Sequence, residues 1–243
     1  MKTIIWAHRG ASHYAPENTM ESFELAKKQG ARGIELDVQL TSDREIVVFH
    51  DDTLERVTDA RGAVASRTMA ELKKTYVTVN PEIYPNAEIP SLREVYDFIR
   101  STDMLINVEL KENVMSDSIF IEKIAALEKE YNLAERIIYS SFNHYSLMAL
   151  RRMLPSAKIG LLYFAALHEP WNYAKSLRAD YIHPHWTFCN ISEEAQIYHK
   201  HKMGINIWTI DDPEIMKTAF HHEVDGLITN RPDLAVQIQA QNT

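Results

Sequence analysis

The 243-residue sequence predicts an α/β fold of the TIM-type (β/α)8 barrel class. Strand-like apolar runs recur at nine places, and most alternate with stretches of helical periodicity. One pair of runs lies too close together for a helical crossover, so setting its second member aside leaves the eight strands a barrel requires. The reactive polar residues fall at the C-terminal ends of strands, where barrel active sites are built. An open doubly wound sheet is the alternative.

In chain order the runs are 3–7, 33–38, 45–50, 104–110, 137–141, 158–163, 180–183, 205–210 and 226–229. Gly30, just after Glu21–Gln29, marks a helix stop. The runs 33–38 and 45–50 are joined by a short polar segment containing Thr41-Ser42-Asp43-Arg44, which predicts a hairpin. Residues 51–88 break the alternation with a charged, weakly periodic stretch holding Pro81 and Pro85, expected to form a small insertion capping one mouth of the barrel. Ser91 followed by Glu94 is a capping box, and Asp212-Pro213 sets a cap before a proline at the first helical position. No repeat, low-complexity tract or linker interrupts residues 1–243, so one barrel domain is expected over the whole length.

Hydrophobic residues make up 45% of the chain and charged residues 25%, enough apolar material for a sizeable core. The formal charge of −8 argues against nucleic-acid or stable anionic-membrane partners, which need a basic face. Any anionic partner is therefore expected to be a small molecule handled by a local site. The single cysteine, Cys189, cannot form an internal disulfide. The apolar stretch before His8 is too short for a signal peptide, which needs about 7–15 residues, and no run of about 18 apolar residues occurs. A cytoplasmic location is the expectation.

His8 and Arg9 end the first run, Glu35 and Asp37 lie in the second, His50 ends the extra one, and Glu109 and Lys111 close the next. Trp208 lies near the end of the seventh barrel strand. Residues two apart on a strand share a face, so Glu35 projects with Asp37, and Asn107 with Glu109 and Lys111. Carboxylates buried this way need compensation. Three of them, with no cysteine and no His-rich spacing, suit one hard divalent cation, Mg2+ or Ca2+. With that cation the three carboxylates leave one negative charge, a phosphodiester adds a second, and Arg9 with Lys111 brings the assembly to neutrality. Two flanking histidines can serve as acid and base near neutral pH. These parts match phosphodiester cleavage.

The residues also carry a set of motifs in order from 8 to 233: His8-Arg9-Gly10, Pro16-Glu17-Asn18-Thr19, Glu35-Leu36-Asp37, His50-Asp51 with Thr53-Leu54, Ile89-Pro90-Ser91-Leu92, Glu109-Leu110-Lys111, Ser140-Ser141-Phe142, Trp208-Thr209 and Asp225 through Asp233. The ordered set resembles the glycerophosphodiester phosphodiesterase family. That resemblance implies a TIM-type barrel with a small insertion after His50-Asp51, and hydrolysis of deacylated phospholipid headgroup diesters to glycerol 3-phosphate and an alcohol. It implies further that Glu35, Asp37 and Glu109 hold the cation, His8 and His50 are acid and base, Arg9 and Lys111 contact the phosphate, and Phe142 and Trp208 wall the glycerol side. In the mechanism it suggests, a glycerol hydroxyl attacks phosphorus and water opens the resulting cyclic phosphate, with His50 as first base and His8 as first acid. Two positions depart from the family pattern: Asn230, where aspartate is more usual, and Ile210-Asp211, where a valine-asparagine pair often follows. Neither is among the expected ligands.

Other readings attach to several of these residues. Lys111 and Arg9 could serve only as salt-bridge partners, and Trp208 as core. Pro16 to Thr19 reads as turn and helix cap rather than site. His183 with His185, and His199 with His201, read as structural rather than metal-binding, and His221-His222 as partners of a helix C-terminus. Two other functions compete: lysophospholipase D-like cleavage of lysophospholipids, disfavoured by the lack of an exposed apolar stretch, and a non-catalytic polyol-phosphate-binding barrel, disfavoured by the two histidines.

Overall fold

A computed structural model of the chain describes residues 2–111 and 118–241. Its strands are β1 (Ile4–His8), β2 (Gly33–Leu40), β3 (Ile46–Val48), β4 (Leu105–Leu110), β5 (Ile137–Ser141), β6 (Lys158–Tyr163), β7 (Tyr181–Pro184), β8 (Gly204–Ile207) and β9 (Gly226–Thr229). All but β3 run parallel in the order β1-β9-β8-β7-β6-β5-β4-β2, and β1 pairs with β2 as well as with β9. That last pairing closes the barrel and removes the open-sheet alternative. β3 runs antiparallel to the end of β2, with Val38 opposite Val48 and Leu40 opposite Ile46.

The hairpin turn is held by Thr41, whose backbone N–H donates to the Glu45 carbonyl at 3.0 Å and whose hydroxyl accepts the Glu45 N–H at 2.9 Å. β3 is shorter than the expected 45–50. After Val48 the side-chain amide of Gln39 donates to the carbonyls of Phe49 (2.9 Å) and Asp51 (2.7 Å), which draws the chain off the ladder and leaves His50 on a loop rather than on the strand. The expected 205–210 run likewise ends early, at Ile207, so Trp208 stands one residue beyond β8.

The helices are α1 (Met20–Lys28), α2 (Met69–Leu72), α3 (Leu92–Arg100), α4 (Ser118–Tyr131), α5 (His144–Met153), α6 (Pro170–Ser176), α7 (Ile191–Lys200), α8 (Pro213–His221) and α9 (Pro232–Gln241). Predicted caps are in place. The Ser91 N–H donates to Glu94 Oε2 at 2.8 Å in a capping box that starts α3, Asp212 accepts from Glu214 and Ile215 at the start of α8, and Gly30, at φ +87°, follows α1.

Period-two alternation separates two environments. In β2, Ile34, Leu36 and Val38 join an outer core with Phe23 of α1 and Val95, Tyr96 and Ile99 of α3, and Glu35 and Asp37 between them point the other way. Lower in the barrel, Trp6, Ile138 and Ile228 form a separate apolar plug. The Trp6 indole lies so close to Gly33 and Gly226 that a Cβ at either would meet it at 2.4–2.5 Å. Residues 51–88 gather Leu54, Val57, Val64, Leu72 and Val77 against Val47 and Phe49 into a small core of their own. The apolar plug below and this small core beside β3 leave the polar interior facing one mouth.

Candidate active site

At the end of β1 the chain reverses through two left-handed residues, Arg9 at φ +55° and Gly10 at φ +82°. Gly10 packs on the start of α1, where a Cβ would fall 2.2 Å from Ser22 Oγ. The turn points the Arg9 backbone N–H at Glu35 Oε2 (3.0 Å), while the Arg9 guanidinium donates to Glu17 Oε1 (2.9 Å) and faces Asp37 Oδ2 at 3.4 Å. A left-handed non-glycine residue is costly, and it is kept here beside three carboxylates.

Parallel register between β2 and β4 sets Glu35 beside Asn107 and Asp37 beside Glu109. One carboxylate oxygen from each of Glu35, Asp37 and Glu109 lies within 4.8 Å of the other two, and all three residues are buried. Burial, followed by the charges of Asp37 and Glu109, pushes Glu35 well above the usual carboxylate range. Burial and then Asp37 push Glu109 up to about 7, against the opposing pull of Lys111. Asp37 behaves oppositely: Arg9, His50, Lys111 and Asn18 outweigh its burial and hold it below the usual range. Lys111 donates to Glu109 Oε1 at 2.9 Å and stands 3.7 Å from Asp37 Oδ1. Asn107 gives its amide N–H to Ser140 Oγ, and its buried Oδ1 has no hydrogen-bond partner among the described residues. An all-oxygen donor set with mutually repelling carboxylates fits a hard cation.

Each predicted histidine is held at Nδ1. His50 Nδ1 lies 2.6 Å from Asp51 Oδ1, and Asp51 is gripped by Arg56 Nε at 2.6 Å. Arg56 also donates to both oxygens of Glu17, which links His50 through Asp51, Arg56 and Glu17 to Arg9. His8 Nδ1 lies 2.7 Å from Asn230 Oδ1. Burial and then the Arg9 charge lower the His8 pKa to about 4.

A cleft opens among these groups, lined by every predicted site residue except Asp37, together with Asn107, Leu162 and Ile228. Its far wall is aromatic. Phe142 packs edge-on against Trp208, with ring centroids 5.5 Å apart, and Trp208 Nε1 donates to the His183 carbonyl at 2.7 Å. Phe164 extends the wall outward, 4.9 Å from Phe188, 4.6 Å from His185 and 6.1 Å from Trp208. Phe164 is 59% exposed and Phe142 47%.

The Glycerophosphoryl diester phosphodiesterase family matches residues 8–234. The chain belongs to this family. It is 41% identical over 239 residues to a glycerophosphodiester phosphodiesterase of Caldanaerobacter subterraneus subsp. tengcongensis, covering 98% of each chain. It is 33% identical to one of Bacillus altitudinis, over 98% of this chain and 99% of that one. Among solved structures, an Oleispira antarctica phosphodiesterase in complex with the product sn-glycerol-3-phosphate superposes with a TM-score of 0.90 at 27% identity, over 98% of this chain and 96% of that one.

Several residues around the phosphodiesterase cleft escape sequence reasoning. Thr19 does cap α1 as expected, but its neighbours reach the site: Glu17 pairs with Arg9 and Arg56, and Asn18 Nδ2 donates to Asp37 Oδ2 at 2.9 Å. The Pro16-Glu17-Asn18-Thr19 motif was the available signal. Asn230 and Asp211, the two departures from the family pattern, bond to each other, and Asn230 bonds to His8. Of the histidines read as structural, His183 pairs with Asn206, His199 with Asp225, and His201 stacks on Trp171, while His185 joins the aromatic wall.

Proposed function

We propose that this chain hydrolyses glycerophosphodiesters, the deacylated headgroup diesters of phospholipids, to glycerol 3-phosphate and an alcohol. The observation that carries this reading is the joining, in one cleft, of three clustered carboxylates, two cationic side chains and two histidines each anchored through Nδ1. Family membership and the product-bound relative support it.

Glu35, Asp37 and Glu109 would hold one divalent cation, Mg2+ or Ca2+. When bound, the cation supplies charge neutralisation at a non-bridging phosphate oxygen. Arg9 and Lys111 bind the remaining phosphate charge, and their existing pairs with Glu17, Asp37 and Glu109 hold them in place for it. One imidazole takes the proton from the attacking glycerol hydroxyl while the other gives a proton to the departing alcohol oxygen. The roles exchange when water opens the cyclic phosphate. Phe142 and Trp208 wall off water on the glycerol side. Residues 1–243 act as one barrel unit with 51–88 as its cap, in the cytoplasm, a location that agrees with the lone Cys189. Among the described residues no helix is long and apolar enough to cross a membrane.

One observation favours a second substrate class. The sequence holds no exposed apolar stretch, yet the fold assembles one from Phe142, Phe164 and Phe188, each more than a third exposed and joined through ring contacts with one another or with Trp208. Such a rim would suit the acyl chain of a lysophospholipid. Incubating purified protein and either cation with glycerophosphocholine, glycerophosphoethanolamine and lysophosphatidylcholine, followed by 31P NMR, separates the readings. Glycerol 3-phosphate from the first two is expected, and no cleavage of any of the three would contradict both.

A further inference from the structure

The ends of β8, β9 and β1 meet in a hydrogen-bonded chain whose polarity can be read from its fixed end. Asp211 Oδ1 accepts the Asn230 backbone N–H at 2.9 Å and the Thr229 hydroxyl at 2.8 Å, and its Oδ2 lies 2.6 Å from Asn230 Nδ2. A carboxylate accepting at this density requires the amide nitrogen, not the amide oxygen, to face it. Flipping the Asn230 side chain would set carbonyl oxygen against carboxylate oxygen at 2.6 Å. Asn230 Oδ1 therefore faces His8 Nδ1, 2.7 Å away, and an oxygen with no proton can only accept there. The Ser12 hydroxyl, 2.8 Å from both Asn230 Oδ1 and the His8 carbonyl, is a donor compatible with the same orientation.

We infer that Asp211 and Asn230 are positioning residues that fix His8 with its proton on Nδ1, reserving Nε2 for proton exchange with a molecule in the cleft. The opposite tautomer would set the Nδ1 lone pair against Asn230 Oδ1. The ring nitrogen that reacts is chosen by the bond the other nitrogen makes. Here a neutral amide makes that bond, and the carboxylate that orients the amide stands one residue further away. The inference rests on the proposed proton-transfer role of His8, but the state it assigns to the ring can be observed without turnover.

The test is two-bond 1H–15N correlation NMR of the full chain labelled at histidine nitrogen, near pH 7.5, with the His8 signals assigned by their loss in His8→Gln. The wild type should show a pyrrole-like Nδ1 and a pyridine-like Nε2. Asp211→Asn, which lets the amide turn either way, should give a mixture of tautomers and a fall in kcat of about 10- to 100-fold with KM little changed. The exchange Asn230→Asp with Asp211→Asn restores an acceptor opposite His8 and a donor behind it, and should recover the Nδ1–H ring and most of the turnover. An Nε2–H ring in the wild type, or an unchanged ring and rate in Asp211→Asn, overturns the inference. Should Asp211→Asn fail to fold, the wild-type spectrum alone decides. A wild-type chain with the Nδ1–H ring that releases no glycerol 3-phosphate contradicts the proposed function and leaves the positioning intact.

Discussion

The two halves of the barrel mouth are built from the same repeating unit of strand and loop, yet they carry opposite chemistry. The half formed by β1, β2, the loop after β3 and β4 holds His8, Arg9, Glu35, Asp37, His50, Glu109 and Lys111, every charged pair of the cleft. The half formed by the loops after β5, β6, β7 and β8 presents Phe142, Phe164, His185, Phe188 and Trp208 in mutual ring contact. Even the histidines of the two halves differ. His8 sits against Arg9 and Asn230, whereas the ring of His183, wholly buried, meets Asn206 and the edge of Tyr181. Under the proposed function, segregating charge from apolar surface would let one half hold a phosphate and move protons while the other shields that chemistry from water.

If the charged half does the chemistry, the largest loss should follow from removing its acid and base. His8→Ala and His50→Ala should each lower kcat by about 10²-fold or more in a glycerol 3-phosphate release assay, with substrate binding retained. Unchanged turnover in both would assign the chemistry elsewhere.

His183 in one half and the two raised carboxylates in the other should also have opposite pH signatures. Burial holds the His183 pKa near 3, below its unfolded value, so its contribution to stability is complete above about 6.5 and is lost as pH falls towards 3. Thermal unfolding should show a loss between pH 7 and pH 5 to which His183 contributes on the order of 2 kcal/mol, a share that His183→Asn removes. Glu35 and Glu109 are raised instead, so their contribution is present below about 4.5 and is lost as pH rises through about 7 for Glu109. A cation competes with those protons. Cation affinity should therefore rise by up to about tenfold from pH 6 to pH 7 in calorimetric titrations. Affinity independent of pH would break the link between the carboxylates and the ion.

The smallest effect belongs to the aromatic rim. Phe164→Ala should raise KM for lysophosphatidylcholine by about tenfold while changing that for glycerophosphocholine less than threefold, matching loss of part of one buried aromatic contact. Equal effects on both substrates would remove the rim from acyl-chain binding.

What was legible in the sequence is what local spacing controls. Period-two alternation announces that Glu35 and Asp37 share a face and oppose Ile34, Leu36 and Val38, and eight such strands alternating with helices fit a barrel, although its closure is decided only by the pairing of β1 with β2. What was not legible depends on approach across the chain. Arg56 reads as one charge among many in residues 51–88, and only the fold brings it onto Glu17, 39 positions away. Asn230 meets His8 across 222 positions, through the seam where the last strand pairs with the first. The aromatic rim is invisible for the same reason, since its members arrive from four separate loops and form no run.

Under the proposed function, Glu35, Asp37 and Glu109 together hold the ion that the phosphodiester chemistry requires. Isothermal titration of Mg2+ and Ca2+ into wild-type chain and into Asp37→Asn, with glycerol 3-phosphate release measured on the same samples, addresses it most directly. The wild type should bind one ion per chain and lose turnover when a chelator removes it, and Asp37→Asn should lose both together. Full release of glycerol 3-phosphate by chelated wild type, or by an Asp37→Asn chain that binds no ion, would contradict the claim.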